Sequence, residues 1–106
     1  MPVKVKRLLK ELKDGLVRIY GDRLNGLYLY GSYARGDAQV DSDVDVMIVL
    51  NDYESYGKEI DQTGNLVSAL SLEYGISISR VIVKETQWLN SDTPLLRNIH
   101  ADGIPA

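Results

Sequence analysis

With 106 residues, 44% of them hydrophobic and 25% charged, the chain has the balance of one ordinary globular domain rather than of a disordered or fibrous one. A net charge of −3 argues against broad, non-specific nucleic-acid binding, and the lack of cysteine excludes disulfides and thiolate metal sites while being compatible with a reducing, cytoplasmic setting. No apolar run approaches a membrane span, and the opening MPVKVKRLLKEL has no unbroken apolar stretch of the kind a secretory signal needs, so neither is expected.

In chain order, Val5, Leu8, Leu9, Leu12, Leu16, Ile19 and Tyr20 fall on one stripe of a 3.6-residue period, which predicts an amphipathic helix over roughly residues 3 to 23. Its basic residues (Lys4, Lys6, Arg7, Lys10, Lys13) read as the solvated face of that helix, with contact to a polyanion as the alternative. Asn25-Gly26 reads as a turn, Leu27 to Tyr30 as a short buried strand stopped by Gly31, and Val44 to Leu50 as a second, β-branched strand. Residues 31 to 43 between them form a polar loop with room for a brief helical turn, longer than the usual connection in a small domain. Ile60, Val67, Leu70 and Tyr74 mark a second helix, with Gly75 placed for a left-handed cap. Ile76 to Val83 is the third strand; Thr93-Pro94 opens a tail helix that Gly103 closes. Helix, strand, strand, helix, strand, helix implies a two-layer α/β sandwich (α+β) on a small mixed sheet, in one domain over 1–106.

The long loop carries the chemistry. Gly31 and Gly36 have the G-x-x-x-x-G spacing of a phosphate loop, but Asp37 and Ala38 stand where its Lys and Ser or Thr belong. Asp41, Asp43 and Asp45 have the opening rhythm of a calcium loop, but Val46 replaces its Gly and the chain runs on into a strand. On an extended chain Asp43 and Asp45 leave the same face with their roots roughly 6–7 Å apart, where two carboxylates repel by about 2–3 kcal/mol at an effective dielectric near 20. A fold tolerates that when a cation or donors compensate, and an oxygen-only pair suits Mg²⁺ or Mn²⁺ completed by substrate phosphates. The blander alternative is a turn-capping Asp43 and an Asp45 exposed on an edge strand. Gly31, after a strand and before Ser32, lets the backbone turn sharply and offer N–H groups beside a hydroxyl, which suits a phosphate. The halves are complementary: a triphosphate held on one side by Gly31 and Ser32 and on the other through the metal at Asp43 and Asp45.

GSYARG…SDVDVMIVL resembles the signature of the DNA polymerase β-like nucleotidyltransferase superfamily, and the short chain with ARG after the glycine-serine resembles its minimal nucleotidyltransferase (MNT) domains, which implies a family core at about 5–85 and a tail at 86–106. The resemblance implies that Gly31 and Ser32 contact the β/γ phosphates of ATP, and that Asp43 and Asp45 hold the metal ions that align the α-phosphate for in-line attack. Arg35 reaches the triphosphate or pairs with a nearby acid such as Asp37; Tyr33 packs. Active members carry a third carboxylate on a later strand, where ISISRVIV offers Ser77 or Ser79 instead, with Glu73 and Glu85 flanking and read as exposed. The implied reaction moves a nucleoside monophosphate to a hydroxyl, most naturally on a partner protein such as a small helical HEPN toxin, with a catalytically weak antitoxin acting by docking as the alternative. With no substrate domain in the chain, acceptor choice falls to a partner or to its own oligomer, and the basic helix leaves an RNA acceptor open. Trp88, Leu89, Leu95, Leu96 and Ile99 read as a flap over the sheet or as a contact surface, and His100 as a surface residue rather than a ligand.

Overall fold

The computed structural model describes residues 1–106. Helix α1 (Val3–Tyr20) leads through one tight turn, Gly21–Arg23, into β1 (Leu24–Tyr30); α2 (Ser32–Arg35), β2 (Val44–Leu50) and α3 (Tyr56–Tyr74) follow. Strand β3 (Ile78–Lys84), α4 (Glu85–Asn90), α5 (Pro94–Asp102) and a two-residue β4 (Ile104–Pro105) complete the chain. The sheet order is β3-β2-β1-β4, antiparallel except for the parallel β2/β3 pair, so the expected mixed sheet of an α/β sandwich is present.

The period-3.6 stripe of α1 buries Val5, Leu8, Leu9, Leu12, Leu16 and Tyr20 against the sheet, while Ile19 lies off the stripe and stays 39% exposed. The helix stops three residues earlier than its pattern allowed because Gly21 takes φ 55°, out of the helical region. Asn25-Gly26 is not a turn. The pair lies inside β1, where pairing with β2 keeps the chain extended and the register slips between Leu24 and Gly26 as a bulge. Helix α3 begins at Ser55, whose Oγ accepts from Lys58 N, and ends with Gly75 at φ 64° donating to Ser71 O. Short α4 and β4 carry no local pattern long enough to announce them, and both form against elements already in place.

Strand alternation divides the core. Leu27 and Leu29 of β1 and Val44, Val46, Ile48 and Leu50 of β2 face α1 and α3. Met47 and Val49 point the other way, onto Leu96 and Ile99 of α5, with Tyr28, Tyr30, Val81, Val83 and Trp88 around them. The tail is therefore the flap over the far face, and only Leu89 and Leu95 of its apolar set remain exposed. His100 stacks on Trp88 at 3.5 Å and shares a hydrogen bond with the Trp88 carbonyl through Nε2, which assigns it to packing. No helix is long and apolar enough to cross a membrane.

Candidate active site at the C-terminal end of β1

Three local devices assemble the site. Strand β1 runs out at Tyr30, and Gly31 turns the chain at φ 75°, ψ −155°, a conformation that only glycine adopts at low cost. One turn of helix, Ser32–Arg35, then closes on Gly36 in the left-handed region, with Gly36 N donating to Ser32 O. The rest of the loop is tied by a reciprocal pair, Gln39 N to Ser42 Oγ at 2.8 Å and Ser42 N to Gln39 O at 3.1 Å, and it re-enters the sheet where Val44 N donates to Ser77 O.

Register places the acids. Asp45 pairs across Tyr30 on β1 and beside Ser79 on β3, so all three side chains share the sheet face that turns away from α1 and α3. The Asp45 carboxylate rests directly on the backbone of Gly31: a Cβ built there would collide with Oδ2. Glycine is thus required at 31 twice over, by φ and by the neighbouring acid. Asp43, on the same face two residues earlier, is exposed. Burial, then the nearby charge of Asp43, raises the Asp45 carboxyl above its ordinary range, against a smaller opposing pull from Arg35. Such a pair favours a cation: two hard oxygen ligands, one of them half-desolvated and with no side-chain donor of its own, fit a magnesium-like ion completed by phosphate oxygens.

A cavity of about 390 Å³ opens here, lined on one side by Tyr30, Gly31, Ser32, Arg35 and Asp45 and on the other by Leu95, Asn98 and Asp102 of α5. Of the residues anticipated from sequence, Gly31, Ser32, Arg35 and Asp45 meet in this cavity, and Asp43 stands outside its lining. Arg35 rests against Asp37, Nε to Oδ2 at 3.4 Å, both well exposed, so its head group is free to swing at small cost. Tyr33 packs against the core as expected. Ser77 and Ser79 are exposed, Glu73 and Glu85 likewise, and no third acid joins Asp43 and Asp45 within reach of one metal ion.

Tyr30 and the α5 residues were not anticipated. Tyr30 had a signal, since it alternates with inward Leu29 and must share a face with Asp45 once the strands pair. Its hydroxyl is pushed up by burial and then by the Asp45 charge. Nothing in the sequence tied α5 to the loop, because their meeting depends on the flap.

Residues 7–99 match the model of the nucleotidyltransferase domain family. The chain belongs to that family. A Methanocaldococcus jannaschii protein named "Putative protein adenylyltransferase MJ0141" is 38% identical to this nucleotidyltransferase over 84 residues, 79% of this chain and 84% of the relative. A second from the same organism, similarly named, is 32% identical over 80 residues, 76% of this chain and 74% of its own length. Among solved structures, a nucleotidyltransferase-like protein from Sulfolobus solfataricus superposes with a TM-score of 0.68 at 17% identity, covering 96% of this chain and 80% of that one. A toxin–antitoxin assembly crystallised with AMP-PNP gives 0.62 at 22%, covering 91% and 70%. At those identities the structural likeness speaks for the shared fold alone.

Proposed function

We propose that this nucleotidyltransferase moves AMP from ATP to a hydroxyl of a partner protein, in a Mg²⁺-dependent reaction at the Gly31–Asp45 cleft, with residues 1–106 acting as one minimal domain. One observation carries the reading: the Asp45 carboxylate sits on the Gly31 backbone beside Ser32 in one cavity, so a phosphate chain at the turn is also within reach of a metal at the acids. The first amides of a helix have no acceptor within the helix and, with the Ser32 hydroxyl, are donors for terminal phosphate oxygens. Asp43 and Asp45 hold the metal, which when bound neutralises triphosphate charge. Arg35 leaves Asp37 for the phosphates. The acceptor hydroxyl attacks the α-phosphorus and gives up its proton to solvent, the bond to the bridging oxygen breaks, and pyrophosphate departs with that electron pair; orientation and charge neutralisation carry most of the rate. The names of the archaeal relatives support a protein acceptor; the resemblance to minimal nucleotidyltransferases makes a small helical HEPN-type protein the first partner to try, and the toxin–antitoxin neighbour supports looking for a partner of that kind. The test is transfer of label from α-labelled ATP to a co-purified partner, with and without EDTA; label that transfers equally well in EDTA, or no Mg²⁺-ATP binding by calorimetry, sinks it.

A second reading rests on Ser79. It occupies the register position beside Asp45 on the site face, where a third carboxylate would complete the metal site, and a serine hydroxyl is neither a strong Mg²⁺ ligand nor a base at neutral pH. A protein that binds Mg²⁺-ATP and its partner but turns over slowly follows from that. Ser79→Asp then raises the transfer rate with ATP affinity little changed; an inert or slower variant rejects this reading and leaves the first.

A further inference from the structure

Helix α5 is capped locally at both ends and tied to the sheet through β4. Thr93 Oγ1 accepts from Leu96 N at 3.2 Å at its start, and at its end Gly103 N donates to Ile99 O at 2.8 Å before β4 pairs with β1. Leu96 and Ile99, 5% and 1% exposed, are its anchors. Leu95, Asn98 and Asp102, at i, i+3 and i+7, form the adjoining stripe and line the cleft across from Gly31 and Ser32. The other polar side chains of α5 are committed to structure: Arg97 pairs with Asp92 and His100 stacks on Trp88. Asn98 and Asp102 have no hydrogen-bond or ion-pair partner within the protein.

Resting on the proposed ATP site, we infer that α5 is the nucleoside-reading wall of this cleft, with Asp102 accepting from the ribose hydroxyls and Asn98 pairing with the base edge. A carboxylate only accepts hydrogen bonds and carries the same charge as the phosphates, so the triphosphate belongs on the opposite wall, with its amides, hydroxyl and guanidinium. Asp102 does not gather with Asp43 and Asp45 into one group of acids. What it fits is a donor, and the ribose diol is the part of a nucleotide that supplies two. A carboxamide offers donor and acceptor together, matching an amino group beside a ring nitrogen. Tyr30 and Leu95 supply apolar surface between these polar groups, and about 390 Å³ lies within the size range of small-ligand sites.

Calorimetry with Mg²⁺ and three probes, ATP, 2′,3′-dideoxy-ATP and inorganic tripolyphosphate, tests this on the full chain and on Asp102→Ala and Asn98→Ala, both surface changes that leave the core intact. Wild type should prefer ATP over the dideoxy analogue by about tenfold or more, the worth of a charge-assisted hydrogen bond. Asp102→Ala should bring that ratio close to one; Asn98→Ala should weaken both nucleotides and leave tripolyphosphate unchanged. An unaltered ratio in Asp102→Ala, or equal tightening of all three probes from lost charge repulsion, overturns the inference while the ATP site stands. Wild type that binds neither ATP nor tripolyphosphate overturns both.

Discussion

Two acids mark opposite ends of the sheet, and their surroundings differ in every respect. Glu59, on α3 near the Leu24–Leu50 end, is 3% exposed, accepts from the Tyr20 hydroxyl at 3.0 Å and lies 3.7 Å from the Arg23 guanidinium. One turn on, Thr63 Oγ1 donates to the Glu59 carbonyl and accepts from Arg80 Nε, while Arg80 also reaches the Ile60 carbonyl. Asp45, at the Tyr30 end, has no side-chain donor, a second acid nearby and a carboxyl raised by burial. A buried charge with its partners supplied locks elements together; a half-buried one left short of partners awaits something from outside. In the cavity of about 360 Å³ beside Glu59, Arg23 pairs with Glu59 and donates to the Asp52 carbonyl, while the Asp52 carboxylate pairs with Lys84, so these three groups read as architecture.

The sharpest way to break this contrast is Asp45→Asn. Transfer of labelled AMP should fall by at least about 10²–10³-fold, the loss typical when a preorganised charge-stabilising group is removed. Thermal melting should hold or rise slightly, because repulsion from Asp43 disappears; retained activity would put the chemistry elsewhere. Glu59→Gln should do the reverse, lowering stability by about 1–3 kcal/mol with transfer per folded molecule preserved, as read by denaturant titration beside the activity assay. Gly31→Ala tests whether site and fold share a residue: φ 75° and the contact with Asp45 Oδ2 together should cost about 1–3 kcal/mol and weaken Mg²⁺-ATP binding. Tyr20→Phe, which leaves Glu59 its ion pair but removes its hydroxyl donor, should cost about 1–2 kcal/mol in the same titration.

The smallest effect is a pH dependence. Burial and the Glu59 hydrogen bond push the Tyr20 hydroxyl from 10.0 up to about 12, so the folded state keeps that proton longer than the unfolded chain. The sign follows: the contribution is complete below pH 10 and fades as pH rises from 10 toward 12. Alkaline unfolding of Tyr20→Phe should lack that component, and identical profiles for variant and wild type would contradict the assignment.

Amino-acid pattern alone sufficed for what is local. The α1 stripe, the apolar run of β2, the Gly-marked end of α3, the Thr- and Gly-marked ends of α5 and the sharp turn at Gly31 each depend on neighbours within a few positions, where period, capping and backbone freedom act directly. Asn25-Gly26 misled because bulge and turn call on the same glycine, and only strand pairing distinguishes them. Contacts between distant segments had to come from the tertiary structure. Parallel pairing set Ser79 beside Asp45, antiparallel pairing set Tyr30 opposite it, and the flap brought Asn98 and Asp102 to a loop some sixty positions away in the chain. Those meetings follow from which sheet face was left to cover once α1 and α3 had taken the other, and no short stretch of sequence encodes that choice.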